Sequence, residues 1–424
     1  MALDEVSLTV DEGPRRPHPD LAPRLRLAQA DRVDAEETFE AEALLQDAVD
    51  AKASDIHLDP RSDGWQLRFR VDGVIVDVVP IPLDPGRRLV NQLKTLAELN
   101  PVTAQVPQDG RFTYQLDDVS LDLRVSVAPC LRGDKLALRV LTAGYLFDSL
   151  DRLGLTDDQA EILQAWLDTA AGMLLVSGPT GGGKTTTLYA LLHAMRRADL
   201  HIVTLEDPVE YEIDGINQIQ VDNKAGLTFA TGTRSLLRLD PDCMLIGEIR
   251  DPDSARAASD AASSGRTLMG TLHSRDAVGA VTVLRNYGLD DFEVAANLEI
   301  VISQRLVRSL CRQCRIEAPP ADQDRRFLER VGRPVPDKVW TSVGCDSCRG
   351  LGFRGRTGLF EVWRLDPGEQ ALLLEHAPER ALRSALAKRN HAFLLESGLA
   401  KAEAGETTLG EIRICGLGSR AVRS

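Results

Sequence analysis

The chain has 424 residues, of which 43% are hydrophobic and 27% charged, and its formal net charge is −14 with a sequence pI near 5.1. This balance predicts a globular protein of two or three domains, and the negative charge disfavours non-specific binding along a nucleic-acid backbone. No stretch reaches the roughly 18 apolar residues that a membrane-spanning helix requires, and the segment starting at Met1 lacks the charged and apolar regions of a signal peptide. We therefore expect a soluble, cytoplasmic protein that reaches a membrane only through partners.

The first third of the chain predicts a tail followed by a compact α+β domain. Residues 1–37 are rich in Pro, Arg, Asp and Glu and are predicted to be disordered. Helical spacing of apolar residues follows over 41–52, and alternating patterns at 65–71 and 120–127 predict strands with one exposed face. A further helix is predicted between these strands over 87–99. Residues 38–143 are therefore expected to form one small domain.

A second, larger domain is predicted after a linker over 144–154. The residues from Thr156 to Gln159 form a capping-box pattern, which predicts the start of a helix. Short apolar strands are predicted at 173–176, 202–205, 244–246 and 267–270, with helical stretches between them. This alternation indicates a parallel sheet covered by helices. Residues 155–424 are therefore expected to form one α/β domain.

The segment that follows the first of these strands matches the phosphate-binding pattern G-x-x-x-x-G-K-S/T. Glycines leave backbone N–H groups free to surround phosphate oxygens, and a helix N-terminus adds positive potential. Lys184 is expected to neutralise β- and γ-phosphate charge, and the Thr185 hydroxyl to bind Mg²⁺. A glycine-rich turn that binds nothing is disfavoured, because strand, loop, lysine, hydroxyl and helix occur in order. The residues predicted to hold ATP are Gly178, Pro179, Thr180, Gly181, Gly182, Gly183, Lys184, Thr185 and Thr186.

Acidic residues follow two later strands of the predicted sheet. Glu206 and Glu210 follow the strand at 202–205, and Glu248 follows the strand at 244–246. Phosphoryl transfer needs carboxylates that hold Mg²⁺ and orient water, and the carboxyl ends of parallel strands are where ligands collect. An acid after a strand is often only a helix cap, but a phosphate-binding loop upstream favours catalysis. His273 follows a third strand, and from spacing alone a structural role is favoured over sensing of the γ-phosphate.

Four of the seven cysteines form two C-x-x-C pairs, Cys311 with Cys314 and Cys345 with Cys348. In a reducing cytoplasm such pairs indicate a tetrahedral zinc site rather than disulfides, although the gap between the pairs exceeds the commonest spacing. The zinc would be structural and would stabilise a segment that lacks a core of its own. Unpaired buried thiols and redox-active pairs are the less favoured alternatives.

Taken together, these motifs resemble the GspE/PilB-type secretion ATPases of type II secretion and type IV pilus assembly. The similarity extends over about residues 38–412 and includes seven further segments, at 53–60, 69–73, 107–112, 124–126, 234–242, 304–308 and 352–358. It implies a RecA-like P-loop ATPase domain, a preceding small α+β (PAS-like) domain and a tetracysteine zinc subdomain. The tetracysteine segment would cover 305–362, and C-terminal helices would cover 365–424.

The resemblance also implies roles for single residues. Glu248 corresponds to the Walker B glutamate that polarises the attacking water, Glu206 and Glu210 to acids of the Asp box near Mg²⁺, and His273 to the histidine of the His box. In this family, arginines of the preceding domain contribute charge to the nucleotide, as an arginine finger does in phosphoryl transfer. Surface salt bridges on a strand are the alternative. The matching arginines are Arg111, Arg124 and Arg139.

Three features depart from the family pattern. Gly182 stands where the family often has serine. Arg266 stands where it usually has histidine, so a permanent charge replaces a titratable group, and the role of that histidine is altered or absent. Only residues 1–37 precede the first matched domain, so docking is expected to use this tail, a separate protein or the platform protein. The tetracysteine segment favours the assembly and secretion branch over pilus-retraction ATPases, which lack it.

The leading hypothesis is a hexameric ATPase that is peripheral at the inner face of the cytoplasmic membrane and powers pilus or pseudopilus assembly with ATP, Mg²⁺ and Zn²⁺. Head-to-tail contacts would close its ring. Expected partners are copies of itself and inner-membrane platform and docking proteins, without direct nucleic-acid contact. The alternatives are the ATPase of a pilus-like DNA uptake or transfer machine and a nucleotide-binding scaffold that does not hydrolyse. A zinc-ribbon nucleic-acid binder is disfavoured by the acidic charge and an aromatic content of 4%.

Overall fold

The computed structural model describes residues 18–30, 40–102, 106–116, 119–142, 149–196 and 199–417. The chain divides into two compact units, one formed by Met1–Tyr145 with Val343–Arg354 and the other by Leu146–Ser342 with Gly355–Ser424. Each unit has a hydrophobic core of its own. Within the described ranges, no helix combines the length and the hydrophobicity needed to cross a bilayer.

The first unit is built on a six-stranded sheet in which every neighbouring pair is antiparallel, in the order β3-β2-β1-β6-β5-β4. Leucine, valine and isoleucine side chains of one sheet face pack with helices α2 and α3, which is the alternation that the sequence predicts for half-exposed strands. Its elements are α1 (Pro23–Ala30), α2 (Glu40–Asp50), β1 (Ala53–Pro60), β2 (Gly64–Val71), β3 (Val74–Pro82), α3 (Leu83–Leu96), β4 (Gln108–Leu116), β5 (Val119–Cys130) and β6 (Gly133–Thr142).

Part of the predicted tail is folded, and here the structure differs from the prediction of disorder. Helix α1 follows Leu21 and Ala22, and these residues and Leu25 are buried in the core of the first unit. The buried Asp47 carboxylate accepts hydrogen bonds from the backbone N–H groups of Arg24 (3.2 Å) and Leu25 (2.9 Å), so it satisfies the donors that a helix start leaves open. Residues 1–17 and 31–39 of the tail lie outside the described residues.

The second unit is an α/β unit whose seven-stranded sheet has the order β15-β12-β7-β11-β10-β8-β9. The pairs from β12 to β9 are parallel, and β13 pairs antiparallel with β14. The remaining elements of the chain are α4 (Asp157–Thr169), β7 (Met173–Ser177), α5 (Lys184–Met195), β8 (Ile202–Glu206), β9 (Asn217–Gln220), α6 (Phe229–Leu236), β10 (Cys243–Ile246), α7 (Pro252–Ser263), β11 (Thr267–Leu272), α8 (Ala277–Asn286), α9 (Asp291–Asn297), β12 (Leu298–Leu310), β13 (Arg315–Ala318), α10 (Asp322–Arg330), β14 (Val339–Ser342), β15 (Phe353–Arg364), α11 (Pro367–Leu374), α12 (Glu379–Lys388), α13 (Leu394–Glu403) and α14 (Leu409–Ile414).

The central strands explain both the sequence pattern and the position of the site. Every residue of β7, β8, β10 and β11 is buried, and strands covered on both faces read as continuous apolar runs rather than alternating ones. The predicted cap of α4 is confirmed, since Thr156 Oγ1 accepts the backbone N–H of Gln159 at 3.4 Å. Because the four strands are parallel, their carboxyl ends lie at one edge of the sheet. The predicted fold class is confirmed.

Candidate functional site

The phosphate-binding loop joins the end of β7 at Ser177 to the start of α5 at Lys184. Gly181 and Gly183 have φ angles of 74° and 84°, a left-handed conformation that disfavours residues with a Cβ atom. A Cβ atom added to Gly178 would lie 2.5 Å from the backbone oxygen of Gln304, so close packing also requires a glycine there. The loop therefore presents backbone to a ligand at a helix N-terminus, which suits a phosphate group.

Lys184 lies over this loop. Its Nζ donates hydrogen bonds to the carbonyl oxygens of Gly178 (3.0 Å) and Pro179 (3.2 Å). Burial lowers the pKa of the Lys184 ammonium and the nearby Arg305 guanidinium lowers it further, whereas the Glu248 carboxylate opposes both effects. Thr185 is the second residue of α5, and it is exposed. The Lys184 ammonium therefore lies at the loop, and the Thr185 side chain lies in the first turn of the helix that follows it.

Glu248 and His273 are brought to the loop. His273 Nε2 lies 2.9 Å from Glu248 Oε1, and its Nδ1 lies 2.9 Å from the carbonyl oxygen of Gly178. One imidazole thus connects the acid that follows β10 with the first residue of the loop that follows β7. This contact chain joins two sequence motifs that are 70 residues apart (248 − 178).

Arg250 is a member of this cluster that the sequence analysis did not single out. Its Nε lies 2.5 Å from the second carboxylate oxygen of Glu248, and its Nη1 lies 3.4 Å from Asp207 Oδ2. The guanidinium also stands 5.2 Å from the centroid of the Phe229 ring. Arg250 therefore holds the acid after β10 beside the acidic segment after β8. The one sequence feature that could have indicated this role is the position of Arg250 two residues after Glu248. An arginine at that position could equally be an ordinary surface charge.

Glu206 is linked to the loop indirectly, through a residue of α5. It is 3% exposed, and its carboxylate accepts hydrogen bonds from the hydroxyls of Tyr189 and Thr204 (2.6 Å) and from Gln218 Nε2 (3.2 Å). Tyr189 belongs to α5, so Glu206 is tied to the helix that the loop begins. Burial and then the hydrogen bond to Glu206 raise the pKa of the Tyr189 hydroxyl far above its usual range. Glu210 is exposed, and its backbone N–H lies 3.4 Å from the same hydroxyl.

The three arginines predicted to act on the nucleotide lie in one row of the first unit's sheet. Arg111 on β4 is directly opposite Arg124 on β5, which is directly opposite Arg139 on β6. Arg139 Nε pairs with Asp55 Oδ1 at 3.3 Å, and the other oxygen of Asp55 pairs with Arg70. Within the described residues, neither Arg111 nor Arg124 forms a salt bridge. Like charges directly opposite each other destabilise a sheet, so these two guanidinium groups suit an anionic ligand.

The four predicted metal ligands form one cluster. The Sγ atoms of Cys311, Cys314, Cys345 and Cys348 all lie within 4.8 Å of one another. The Cys345 and Cys348 sulfurs are 3.8 Å apart, which is about the edge of a tetrahedron with Zn–S bonds of about 2.3 Å. Cys348 Sγ also accepts the backbone N–H groups of Cys345 and Gly352, each at 3.2 Å, and such donors favour a thiolate. The donor set therefore fits a structural zinc ion.

Replacing Cys345 with serine is expected to lower the metal content and the thermal stability before it affects nucleotide binding. A structural site of this kind contributes folding free energy directly, and within the second unit the phosphate-binding loop is held by other strands. Elemental analysis, thermal unfolding and titration with a fluorescent ATP analogue would measure the three effects. Cys130→Ser at an exposed cysteine outside the cluster is the matched control. A well-folded wild-type protein without metal would contradict the assignment.

Arg266 serves the opposite edge of the sheet. It stands just before β11, where its Nε donates to the carbonyl oxygen of Pro241 (3.0 Å) and its Nη2 lies 3.4 Å from Asp240 Oδ1. Its Nη1 donates to Ser264 Oγ at 2.9 Å. These contacts fix the turn that precedes β10. The arginine found in place of the family's histidine therefore supports the strand that precedes Glu248, and within the part of the chain that the structure describes it forms no hydrogen bond with the loop.

The parallel sheet, the glycine loop at its carboxyl edge and the acid beside that loop define a P-loop ATPase. The chain belongs to the family described as type II/IV secretion system protein, which matches residues 31–414. It is 37% identical over 370 residues to the putative type II secretion system protein E of Escherichia coli K12, covering 87% of this chain and 75% of that protein. It is 39% identical over 375 residues to the type IV pilus assembly ATPase PilB of Myxococcus xanthus, covering 87% of this chain and 66% of that protein.

A solved structure shows the same fold at low sequence identity. The ATPase DotB of Legionella pneumophila superposes with a TM-score of 0.65 at 18% identity, covering 91% of this chain and 98% of that one. The likeness confirms the ATPase fold that the sequence predicts.

Proposed function

We propose that the chain hydrolyses ATP in the loop Gly178–Thr185 and that hydrolysis drives pilus or pseudopilus assembly, as in type IV pilus biogenesis or type II secretion. The observation that carries the proposal is the chain of contacts from Glu248 through His273 to the carbonyl of Gly178. It puts a carboxylate beside the place where the loop would hold phosphates. The assignment to assembly and secretion follows from the similarity to a type II secretion system protein E and to a type IV pilus assembly ATPase.

The residues of the loop would bind and orient the nucleotide. Backbone N–H groups at the start of α5 would surround the phosphate oxygens, and the Lys184 ammonium would exchange its two loop carbonyls for β- and γ-phosphate oxygens. The exposed Thr185 hydroxyl fits Mg²⁺, which supplies charge neutralisation when bound. Glu248 would orient and polarise the attacking water, and His273 would hold Glu248 in place beside the γ-phosphate.

The buried Glu206 would act through α5 rather than by direct contact. Its hydrogen bond to Tyr189 ties the acidic segment 206–210 to the loop helix, so a movement of that segment would be felt at the phosphates. Glu210, exposed at the end of this segment, would be the acid free to approach Mg²⁺.

Arg111 and Arg124 would neutralise charge that develops on the phosphates during hydrolysis, as arginine fingers do. Arg139 would contribute less directly, because it shares Asp55 with Arg70. In this scheme an ion pair with Asp55 holds Arg139 at one end of the row of three arginines, and Arg111 at the other end is available to the nucleotide.

Replacing Arg124 with alanine is expected to lower ATP turnover by at least about tenfold without lowering thermal stability. An arginine finger is worth about 10³ to 10⁵ in rate, and Arg124 stands between two arginines in the sheet, so its removal relieves repulsion between like charges. Phosphate release at saturating ATP and thermal unfolding would measure the two effects. Arg132→Ala, at an exposed arginine in the β5–β6 turn of the same sheet, is the matched control. Equal turnover in both variants would remove Arg124 from the mechanism.

The whole assembly is proposed to be a homohexamer closed by head-to-tail contacts. It would lie at the inner face of the cytoplasmic membrane, bound to platform and docking proteins of the inner membrane. No direct contact of the protein with nucleic acid is expected.

Two measurements test the proposed function. Purified protein with ATP and Mg²⁺ is expected to release phosphate, and the absence of release at high protein concentration and with lipid would favour a nucleotide-binding scaffold. Co-purification from the native cell is expected to retain inner-membrane components of a pilus or type II secretion machine. Recovery of DNA-uptake proteins instead would reassign the motor to that machine.

A further inference from the structure

Gln304 lies against the phosphate-binding loop although it is far from it in sequence. It belongs to β12, which runs parallel to β7 with Ser303 opposite Ser177, so Gln304 lies beside Gly178, the first residue after β7. Its side chain is 1% exposed. A buried amide must satisfy its donors and acceptors inside the protein, and the partners of this one belong to the loop and its helix.

Both ends of the Gln304 amide are used there. Nε2 donates to the carbonyl oxygen of Gly182 at 2.6 Å, and Oε1 accepts the hydroxyl of Thr187, in the first turn of α5, at 2.8 Å. The same Nε2 would lie 3.0 Å from a Cβ atom at Gly183, and the backbone oxygen of Gln304 would lie 2.5 Å from one at Gly178. One residue therefore borders the loop at its start, its end and the helix that follows.

The neighbouring residues of β12 extend this support. The Leu306 side chain would lie 3.3 Å from a Cβ atom at Gly183, and Arg305 Nη2 donates to the carbonyl of Arg275, close to His273, at 2.5 Å. The strand segment 304–306 thus fixes two of the loops that meet at the sheet edge. Among the described residues, the Gln304 amide forms no hydrogen bond with Glu248 or His273, so its influence is on the shape of the loop and not on the chemistry.

We propose that Gln304 is a positioning residue that holds the phosphate-binding loop in its nucleotide-binding shape. Its amide fixes the Gly182 carbonyl outward and the first turn of α5 in place, which leaves the loop N–H groups directed at the phosphates. An apolar side chain of equal size leaves a buried carbonyl and a buried hydroxyl without partners, so the loop moves to recover them. The proposal rests on the proposed nucleotide binding at Gly178–Thr185.

The test compares Gln304→Met with Gln159→Met in the full chain. Gln159 is also a buried glutamine whose amide makes one donated and one accepted hydrogen bond, to Phe360 O at 2.9 Å and from Thr156 N–H at 3.2 Å. It lies in the cap of α4 and not at the loop. Titration with a fluorescent ATP analogue is expected to show affinity at least about tenfold weaker for Gln304→Met. Gln159→Met is expected to keep wild-type affinity for the analogue. Its melting temperature is expected to fall by about as much as that of Gln304→Met.

A second pair of variants separates positioning from general destabilisation. Thr187→Val removes the hydroxyl partner, and the double variant Gln304→Met/Thr187→Val is expected to bind no more weakly than Gln304→Met alone, because Gln304→Met has already removed the hydrogen bond that Thr187 makes with Gln304. Should Gln304→Met fail to fold, Gln304→Glu gives the same readout: its volume is retained, but an oxygen replaces the donor to Gly182. Wild-type affinity in a folded Gln304→Met or Gln304→Glu protein would overturn the proposal. No binding by the wild type would overturn the proposed function, and with it this inference.

Discussion

The Lys184→Ala variant is expected to lose ATP binding, with affinity at least about a hundredfold weaker than that of the wild type. In the structure, Lys184 Nζ is held over the loop by the carbonyls of Gly178 and Pro179, and it would exchange them for phosphate oxygens. Two charge-assisted hydrogen bonds at about 1.5 to 3 kcal/mol each account for a loss of this size. Titration with a fluorescent ATP analogue in the presence of Mg²⁺ measures it.

The control for this variant is Lys224→Ala, which removes an exposed lysine from the turn that follows β9. It is expected to bind ATP as the wild type does, so a shared loss of binding would point to net charge and not to the loop. The Lys184 variant should also keep its melting temperature in the absence of nucleotide, because alanine suits a helix start and removes a partly buried charge. Wild-type affinity in Lys184→Ala would remove the loop as the nucleotide site.

The Glu248→Gln variant is expected to bind ATP but to hydrolyse it about 10² to 10⁴ times more slowly, which is the range for loss of a general base. Glutamine has the size of glutamate, so the contacts with His273 and Arg250 keep a partner on each side. The lost carboxylate charge is what would polarise water. Nucleotide titration and single-turnover phosphate release separate the two steps.

Glu329→Gln on the exposed face of α10 is the matched control and should retain full turnover. If Glu248→Gln turned over ATP at the wild-type rate, the acid would have to be sought elsewhere. The segment Glu206–Glu210 would then be the first place to look, because it begins at the end of the neighbouring strand β8 and is linked to Glu248 through Asp207 and Arg250.

Sequence patterns predicted the parts of the site whose chemistry is local. The loop Gly178–Thr185 is a single segment in which each residue type is required by backbone geometry or by phosphate charge, so spacing alone identifies it. The central strands could also be predicted from sequence, because burial on both faces produces unbroken apolar runs. The cysteine pairs were read from their own spacing, and the structure brings all four sulfurs together.

No local sequence pattern predicts certain other features of the structure. Helix α1 was missed because its burial depends on Asp47 and on the core that α2 forms, whereas its own composition resembles a disordered tail. The arginines looked equivalent in sequence, and the sheet register separates Arg139, paired with Asp55, from Arg111 and Arg124. A register is fixed by pairing between distant strands, so the sequence of one strand does not reveal it.

The amino-acid sequence by itself determined the class of fold, the phosphate-binding loop and the two C-x-x-C pairs, since the pattern that identifies each of them is formed by residues that are near neighbours along the chain. Tertiary structure alone decided what surrounds them: His273 between Glu248 and the loop, Glu206 enclosed with Tyr189, and Gln304 bonded to Thr187 across 117 residues. The physical reason is that a buried polar group takes its partner from whatever the folded chain places beside it, and that neighbour has no fixed distance in sequence.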